Sequence, residues 1–239
     1  MSFVGGVGYS NIDLIYSGLD RLPDKGEEIF ARGFSMQFGG GIPATMINLS
    51  RLGVESRIIT FAGHDLFSEF VKKTLNSYPV KTVNLYKGNK MPVVLSSTLL
   101  YCGDRSFISY TDGMDLNDAV MDEVYENLKG AYVVDMHVGF LDVYKRLKKD
   151  GCIQIFDTGW EDDLTLEKYK DYLEIADYYI PNQKEAMKIT GTSSVEEAAD
   201  ILSEFFSDVT IKMDKEGCLL KNKDGIKIIS SVQNVKAID

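Results

Sequence analysis

The segment GGGIPATMINLSRLG, residues 39–53, joins a run of three glycines to a stretch with helical spacing. Its apolar side chains recur at the spacing of one helix face from Met46 to Leu52, and Gly53 ends the pattern. Glycines before a helix let backbone N–H groups approach a polar ligand without an intervening side chain. We therefore predict a turn, a helix and a ligand contact at Gly39–Gly41, with a turn that binds nothing as the alternative.

The same glycines formally match GxGxxA, part of the dinucleotide-binding fingerprint, at Gly39, Gly41 and Ala44. The complete fingerprint needs an acidic residue at the end of the next strand, about 20 residues on, to hold a ribose. The next apolar strand ends in TFA, residues 60–62, and carries no carboxylate there. The pattern therefore argues against a dinucleotide site.

Strands and helices alternate regularly in the second half of the chain. Apolar strands are expected at 131–136, 152–157, 177–180 and 209–213, with helical stretches before them. This alternation is typical of βαβ units and a parallel sheet. Two segments, about 11–37 and 91–110, break the rhythm. We predict that they form a small antiparallel sheet inserted into a single α/β domain over residues 1–239.

Several polar or glycine-containing segments lie at the ends of predicted strands. In an open parallel sheet, ligands bind just beyond the carboxyl ends of the strands. The segments that meet this condition are Asp13, Gly39–Gly41, Gly63–Asp65, His137–Gly139, Asp157 and Asn182. This placement favours a protein built around a binding site. His64 and His137 lack metal-ligand spacing and are interpreted as ordinary polar residues.

The chain is acidic: its 239 residues include 26 Lys+Arg and 36 Asp+Glu, for a net charge of −10. Such a surface repels phosphate backbones and anionic lipid headgroups, so we expect no nucleic acid and no membrane as a partner. No apolar run approaches the ~18 residues of a membrane span, and the N-terminal pattern is not that of a signal peptide. The three cysteines form no CxxC, which favours buried, reduced thiols. These features predict a cytoplasmic protein.

Several stretches together resemble the ribokinase-like (PfkB) family of carbohydrate kinases. The glycine run followed by LSRLG, residues 49–53, is similar to the first signature of that family. Other stretches agree with it in order and spacing, over essentially the whole chain: Asn11-x-Asp13, Leu22-Pro23-x-x-Gly26-Glu27, Gly63-x-Asp65-x-Phe67, Asn182-x-x-Glu185-Ala186 and Lys212-x-Asp214-x-x-Gly217. The resemblance implies a ribokinase-like, doubly wound, mainly parallel α/β sheet with a small β lid.

The resemblance also implies an activity, the ATP- and Mg²⁺-dependent phosphorylation of a hydroxymethyl group on a sugar or sugar-like small molecule. It implies substrate binding by Asp13, Gly39, Gly40, Gly41 and Thr45. It implies nucleotide binding by Asn182, Lys212, Asp214 and Gly217, with Glu185 organising magnesium through water and Asp157 near the phosphate-transfer region. Structural alternatives stay open, because Asp13 could serve a turn, and Asn182 and Glu185 have the spacing of a capping box.

Three departures from the family pattern change these expectations. Ala44 and Thr45 stand where the first signature usually carries an Asn that reads the sugar, so the sugar is not named. Asp214 stands where a Gly is usual. The second signature, D-T-x-G-A-G-D, supplies the general base and an anion hole, and Asp239 matches only its first Asp. The general base is expected beyond Asp239, so we expect this chain to bind sugar better than it phosphorylates it.

A second class of function stays open, a non-catalytic sugar-binding or regulatory protein derived from a kinase. The codons after residue 239 distinguish the two, since a TGAGD-like stretch indicates an enzyme and a stop codon favours the alternative.

The hairpin at 91–110 provides a prediction of the oligomeric state, because it carries apolar residues on both faces that a two-stranded ribbon cannot bury alone. We therefore expect a homodimer through the β lid, as in many relatives, with packing on its own core as the alternative.

Overall fold

The structure is a computed structural model that describes residues 2–233, and the chain divides at Tyr132 into two compact units. The elements of the first unit are β1 (Phe3–Val7), β2 (Asn11–Ser17), β3 (Gly33–Gly39), α1 (Gly41–Arg51), β4 (Ser56–Thr60), α2 (Leu66–Asn76), β5 (Lys81–Asn84), β6 (Val94–Tyr101), β7 (Asp104–Tyr110) and α3 (Asp118–Leu128). β8 (Ala131–Met136) begins where this unit ends.

The second unit continues with α4 (Leu141–Lys149), β9 (Ile153–Phe156), α5 (Leu166–Ile175), β10 (Tyr178–Tyr179), α6 (Gln183–Thr190), α7 (Val195–Leu202), β11 (Val209–Lys212), β12 (Cys218–Asn222) and β13 (Gly225–Ile229). A short 3-10 turn, Asp214–Glu216, lies between β11 and β12. The predicted alternation of strands and helices is therefore present.

Three parallel strands run through the first unit, with β1 beside β4 and β4 beside β5. Helix α1 packs on β1 and β4, and its buried side chains include Met46 and Ile47. These side chains join Ile12, Ile58 and Val71 in one apolar core. The helical spacing in the sequence therefore identifies the face that α1 buries.

A small four-stranded sheet in the same unit has the order β3-β2-β6-β7. The pairs β2–β3 and β6–β7 are antiparallel, as predicted, but β2 and β6 are parallel. The expectation of a wholly antiparallel sheet is therefore wrong for this central pair. The reason is connectivity, because the chain passes through a crossover of helices and strands between β2 and β6 and re-enters in the same direction.

The hairpin of β6 and β7 turns at Cys102 and Gly103, which both have positive φ angles, 51° and 78°. Two consecutive residues of this kind form the turn that matches the twist of a tight hairpin. Cys102 is exposed here, so the expectation of buried thiols is wrong for this residue. It is right for Cys152, which is buried and whose pKa burial raises to about 11.

The second unit contains the parallel strands β8, β9 and β10, in the order β10-β9-β8. Helices α4 and α5 contact β9, and the ring of Phe156 stacks on Tyr172 at 5.2 Å and lies 5.7 Å from Tyr179. The buried amide of Gln154 donates to the backbone oxygen of Tyr144 at 2.6 Å. An aromatic cluster therefore holds this part of the core together.

The strands β11, β12 and β13 form an antiparallel sheet in the second unit. β11 also makes one parallel bridge, between Lys212 and Asn182, and the Lys212 N–H donates to the Pro181 oxygen at 2.9 Å. The parallel strand predicted at 209–213 therefore has a parallel neighbour at its carboxyl end and an antiparallel one along its length.

Among residues 2–233, the three parallel strands of each unit, the seven α-helices and the small extra sheet confirm the predicted α/β class. Within residues 2–233, no helix combines the length and the apolar character that a bilayer crossing requires.

Candidate functional site

Asp13 lies in β2 of the small sheet and is half-buried. Its Oδ1 accepts a hydrogen bond from the side-chain amide of Asn11 at 2.8 Å. Burial raises the pKa of the Asp13 carboxyl, and the Asn11 hydrogen bond and the positive charge of Arg105 oppose this effect. A half-buried carboxylate with a second oxygen left for other partners can accept hydrogen bonds from the hydroxyls of a small molecule.

The three glycines have three different surroundings. A Cβ on Gly39 would lie 2.6 Å from Oδ2 of Asp13, so any other residue there would have to displace that carboxylate. Gly40 has a φ of 104°, and a Cβ there would lie 2.9 Å from the backbone oxygen of Tyr9. Gly41 has no such neighbour within 4 Å. The structure therefore requires glycine at two of the three predicted positions, and one of these brings the backbone close to Asp13.

Helix α1 begins directly after these glycines, and no side chain caps its N-terminus. The predicted substrate residue Thr45 is half-buried one turn into the helix, and its hydroxyl donates to the Gly41 oxygen at 3.1 Å. The hydroxyl proton of Thr45 is therefore already donated within the helix, so towards a ligand Thr45 can act only as a hydrogen-bond acceptor.

Asn182 and Glu185 form the capping box that their spacing predicts at the start of α6. The Asn182 side chain accepts from the Glu185 N–H at 3.0 Å, and the Glu185 carboxylate accepts from the Asn182 N–H at 2.8 Å. Glu185 is only 5% exposed. Burial raises the pKa of its carboxyl, the backbone hydrogen bond from Asn182 opposes this, and the nearby charge of Asp157 raises it further.

Lys212 lies at the end of β11, and its ammonium group is 2.8 Å from Oδ2 of Asp157, just beyond β9. Both side chains are close to half exposed. The charge of Asp157 raises the pKa of Glu185, and the charge of Lys212 lowers it. The backbone of Lys212 also forms a parallel β-bridge with that of Asn182. The second unit therefore brings four polar residues together, and they include Asp157, which the resemblance placed near the phosphate-transfer region.

Asp214 and Gly217 belong to the turn that connects β11 to β12. Asp214 has a φ of 52°, the left-handed conformation that glycine adopts most easily and that Asp tolerates better than most residues. Gly217 has a φ of 100°, and a Cβ there would clash with the backbone oxygen of Ile229. The geometry therefore gives Gly217 a structural reason to be glycine, independent of any nucleotide.

The carboxylate side chains of the second unit limit the ways in which it can bind Mg²⁺. Among residues 2–233, no group of three or more His, Cys, Asp and Glu side chains is arranged to hold a metal ion. Mg²⁺ commonly keeps several waters and binds through one or two carboxylates and the phosphates of a substrate. The carboxylates of Asp157 and Glu185 fit that mode of binding and do not form a closed protein cage.

The sequence and the fold agree with one family of proteins. The model of the pfkB family carbohydrate kinases matches residues 1–239. The chain belongs to the pfkB family of carbohydrate kinases. The resemblance found in its motifs is thereby confirmed, and so is the ribokinase-like fold. The expectation of a general base beyond Asp239, and the match of Asp239 to the second signature, lie outside the described residues.

Individual relatives of this pfkB-family chain support the assignment. A protein of Pyrococcus horikoshii named as a sugar kinase is 26% identical over 219 residues, which are 84% of this chain and 67% of that protein. A ribokinase of Lactococcus lactis is 21% identical, with 100% of this chain and 79% of that protein covered. The structure of Arabidopsis thaliana ribokinase complexed with ribose and ATP is 21% identical, with a TM-score of 0.78 over 100% of this chain and 81% of that chain. Giardia lamblia ribokinase has a TM-score of 0.83 at 17% identity, over 100% of this chain and 77% of that chain.

Proposed function

We propose that this chain binds a sugar or sugar-like small molecule and serves its ATP-dependent phosphorylation at a hydroxymethyl group. The observation that carries the proposal is the match of the pfkB carbohydrate-kinase family to residues 1–239. The neighbouring structure solved with ribose and ATP supports the same pair of ligands. Cytoplasmic location is part of the proposal and agrees with the net charge of −10.

The proposed substrate residues are Asp13, Gly39–Gly41 and Thr45. The carboxylate of Asp13 accepts hydrogen bonds from sugar hydroxyls through the oxygen that Asn11 does not occupy. The close approach of Gly39 to that oxygen keeps side chains away from it. The uncapped start of α1 supplies backbone N–H groups to polar atoms of the ligand. These residues orient the sugar, which is the contribution that phosphoryl transfer most requires from a protein.

The proposed nucleotide residues are Asn182, Lys212, Asp214 and Gly217, and Glu185 holds Mg²⁺ through water. The ammonium of Lys212 attracts phosphate oxygens, and its pairing with Asp157 keeps the side chain extended in one direction. When bound, Mg²⁺ supplies positive charge that neutralises the transferring phosphate. Glu185, fixed by its capping box, orients water rather than binding the metal directly.

The small sheet is the proposed lid, built from about 11–37 and 91–110 within a single domain over residues 1–239. A lid over the substrate excludes water, which would otherwise accept the phosphate in place of the sugar.

We also propose a homodimer through this small sheet. In its support, Phe34, Met36, Ile108 and Tyr110 are exposed by 62%, 39%, 72% and 59% on alternate positions of β3 and β7. A second copy of the chain is the occupant that covers such an apolar face.

The alternative function is a sugar-binding or regulatory protein without phosphoryl transfer. The observation in its favour is that the described residues supply sugar-side and phosphate-side groups, but no general base has been assigned among them. The two proposals share the sugar contacts and differ in turnover, so one set of measurements separates them.

Calorimetric titration with a panel of pentoses, hexoses and nucleosides tests the substrate side, and sugar-dependent ADP release tests the transfer. The assay uses the 239-residue chain and any longer form that the gene encodes. We expect Asp13→Asn to weaken sugar binding about tenfold to a hundredfold, because it removes a charged hydrogen-bond partner. Equal sugar affinity of both proteins would refute the role of Asp13. Binding without turnover in any form would favour the alternative.

A further inference from the structure

Four polar side chains lie together on one face of the small sheet. The strand register pairs Asp13 of β2 with Ser96 of β6, and Ser96 with Ser109 of β7. Asn11 lies two residues before Asp13, so it shares the same face. Three strands therefore contribute to one row of hydrogen-bonding groups that ends at the proposed sugar-binding carboxylate.

The distances join these groups into a chain. Asn11 Nδ2 lies 2.8 Å from Asp13 Oδ1, Ser96 Oγ lies 3.2 Å from Asn11 Oδ1, and the hydroxyls of Ser96 and Ser109 are 2.8 Å apart. Ser96 is only 5% exposed, whereas Ser109 is exposed. Ser96 is therefore the buried link between Asn11 and the outer strand.

The chemistry of the groups sets the direction of every bond. An ionised carboxylate only accepts, so the Asn11 amide nitrogen faces Asp13 and the Asn11 oxygen faces Ser96. That oxygen also only accepts, so Ser96 donates its single proton to it. Ser109 must then donate to Ser96. If Ser96 could not donate, the Asn11 oxygen would lose the hydrogen bond that fixes it, and the amide could rotate away from Asp13.

We propose that Ser96 is a positioning residue that holds the Asn11 amide and thereby presents Asp13 Oδ2 to a sugar hydroxyl. Oδ1 of Asp13 accepts from Asn11, whereas Oδ2 has no hydrogen-bond partner among residues 2–233 and lies against Gly39, where a Cβ would be 2.6 Å away. This inference rests on the proposed function, because the hydroxyl that Oδ2 receives is that of the sugar. Connected hydrogen-bond chains of this kind hold one arrangement more firmly than separate pairs do.

The test compares Ser96→Ala with Ser96→Thr and with Thr98→Val. Thr98 lies two residues further along β6 on the same face, is 4% exposed, and its hydroxyl has no partner within the part of the chain that the structure describes. We expect Ser96→Ala to weaken sugar affinity roughly two- to tenfold in calorimetry, the equivalent of one hydrogen bond. Ser96→Thr should restore the affinity because it keeps the hydroxyl, and Thr98→Val should leave it unchanged.

A second readout needs no sugar. The pKa of Asp13, followed by carboxyl-carbon NMR, should rise in Ser96→Ala because the Asn11 donor is no longer held, and it should return towards the original value in Ser96→Thr. If the unchanged protein binds none of the sugars tested, the proposed function fails, and the titration alone decides the role of Ser96. If Ser96→Ala does not fold, Ser96→Val, which also lacks the hydroxyl and matches the shape of Ser96→Thr, replaces it. An unchanged Asp13 pKa in the folded variant would overturn the proposal.

Discussion

The ammonium group of Lys212 lies 2.8 Å from Oδ2 of Asp157, although 55 residues separate the two in the chain. Their side chains are 47% and 42% exposed, and exposed pairs of this kind contribute only about 0–1 kcal/mol to stability. The backbone of Lys212 also forms a β-bridge with Asn182, and the side chain of Asn182 forms a capping box with Glu185. The pair therefore contributes little to the stability of the second unit, and the proposed contact with a bound phosphate is the role that we expect for it.

Lys212→Met should weaken ATP binding about tenfold or more, because it removes a charged partner of the phosphates, while the free energy of unfolding falls by less than about 1 kcal/mol. Lys148→Met is a matched control, since Lys148 forms a 2.7 Å pair with Asp177 at similar exposure. ATP affinity from calorimetry and midpoints from urea unfolding measure both effects. Equal ATP affinities of the two variants would contradict a nucleotide role for Lys212.

Gly39→Ala and Gly41→Ala should have opposite outcomes for sugar binding. A Cβ at Gly39 would lie 2.6 Å from Asp13 Oδ2 and must displace that carboxylate, whereas Gly41 has no neighbour within 4 Å of its Cβ position. We expect Gly39→Ala to lose sugar affinity by about tenfold or more and Gly41→Ala to retain it within a small factor. Circular dichroism checks that both proteins fold. Loss of affinity in Gly41→Ala alone would contradict the role of Gly39 in leaving the Asp13 carboxylate open to the sugar.

Glu185→Gln should raise stability near neutral pH, by an amount that shrinks as the pH falls. Burial raises the pKa of the Glu185 carboxyl above its ordinary value, so the folded state holds the ionised form at a cost. The unchanged protein therefore has its full stability from this group below the ordinary carboxyl pKa, and loses it as the pH rises through the folded-state pKa. Glutamine keeps an acceptor oxygen for the Asn182 N–H. Thermal unfolding of both proteins across the acidic range measures the difference.

The control for this prediction is Glu197→Gln, at the exposed first turn of α7, where the pH dependence should follow that of the unchanged protein. A constant stability difference between Glu185→Gln and the unchanged protein at every pH would contradict the account. Stabilisation by replacing a polar site residue is the usual sign that its charge is kept for function.

Ile108→Lys should convert the proposed homodimer to a monomer, because it puts a charge into the apolar face of the small sheet. Leu52→Lys is the control, since Leu52 is 79% exposed at the end of α1 and lies outside that sheet. Sedimentation velocity at tens of micromolar gives the oligomeric state of each variant. A monomeric unchanged protein would refute the dimer, and a dimer in both variants would place the interface elsewhere.

Local patterns in the sequence predicted the elements with the clearest local causes. The spacing from Met46 to Leu52 identified α1, because a helix repeats its buried face every three to four residues and depends on near neighbours only. The capping box of Asn182 and Glu185 followed from a spacing of three residues for the same reason. The family resemblance, carried by short motifs in order, was confirmed over residues 1–239.

The sequence by itself therefore determined the class of fold, the family and the residues that merit study. Only the tertiary structure decided that β2 runs parallel to β6, that Lys212 meets Asp157, and that Ser96 joins Asn11 to Ser109. These contacts join residues far apart in the chain, and nothing within a local window encodes the register that brings them together. Strand pairing and register arise from packing the whole unit at once, which is why they appear only in three dimensions.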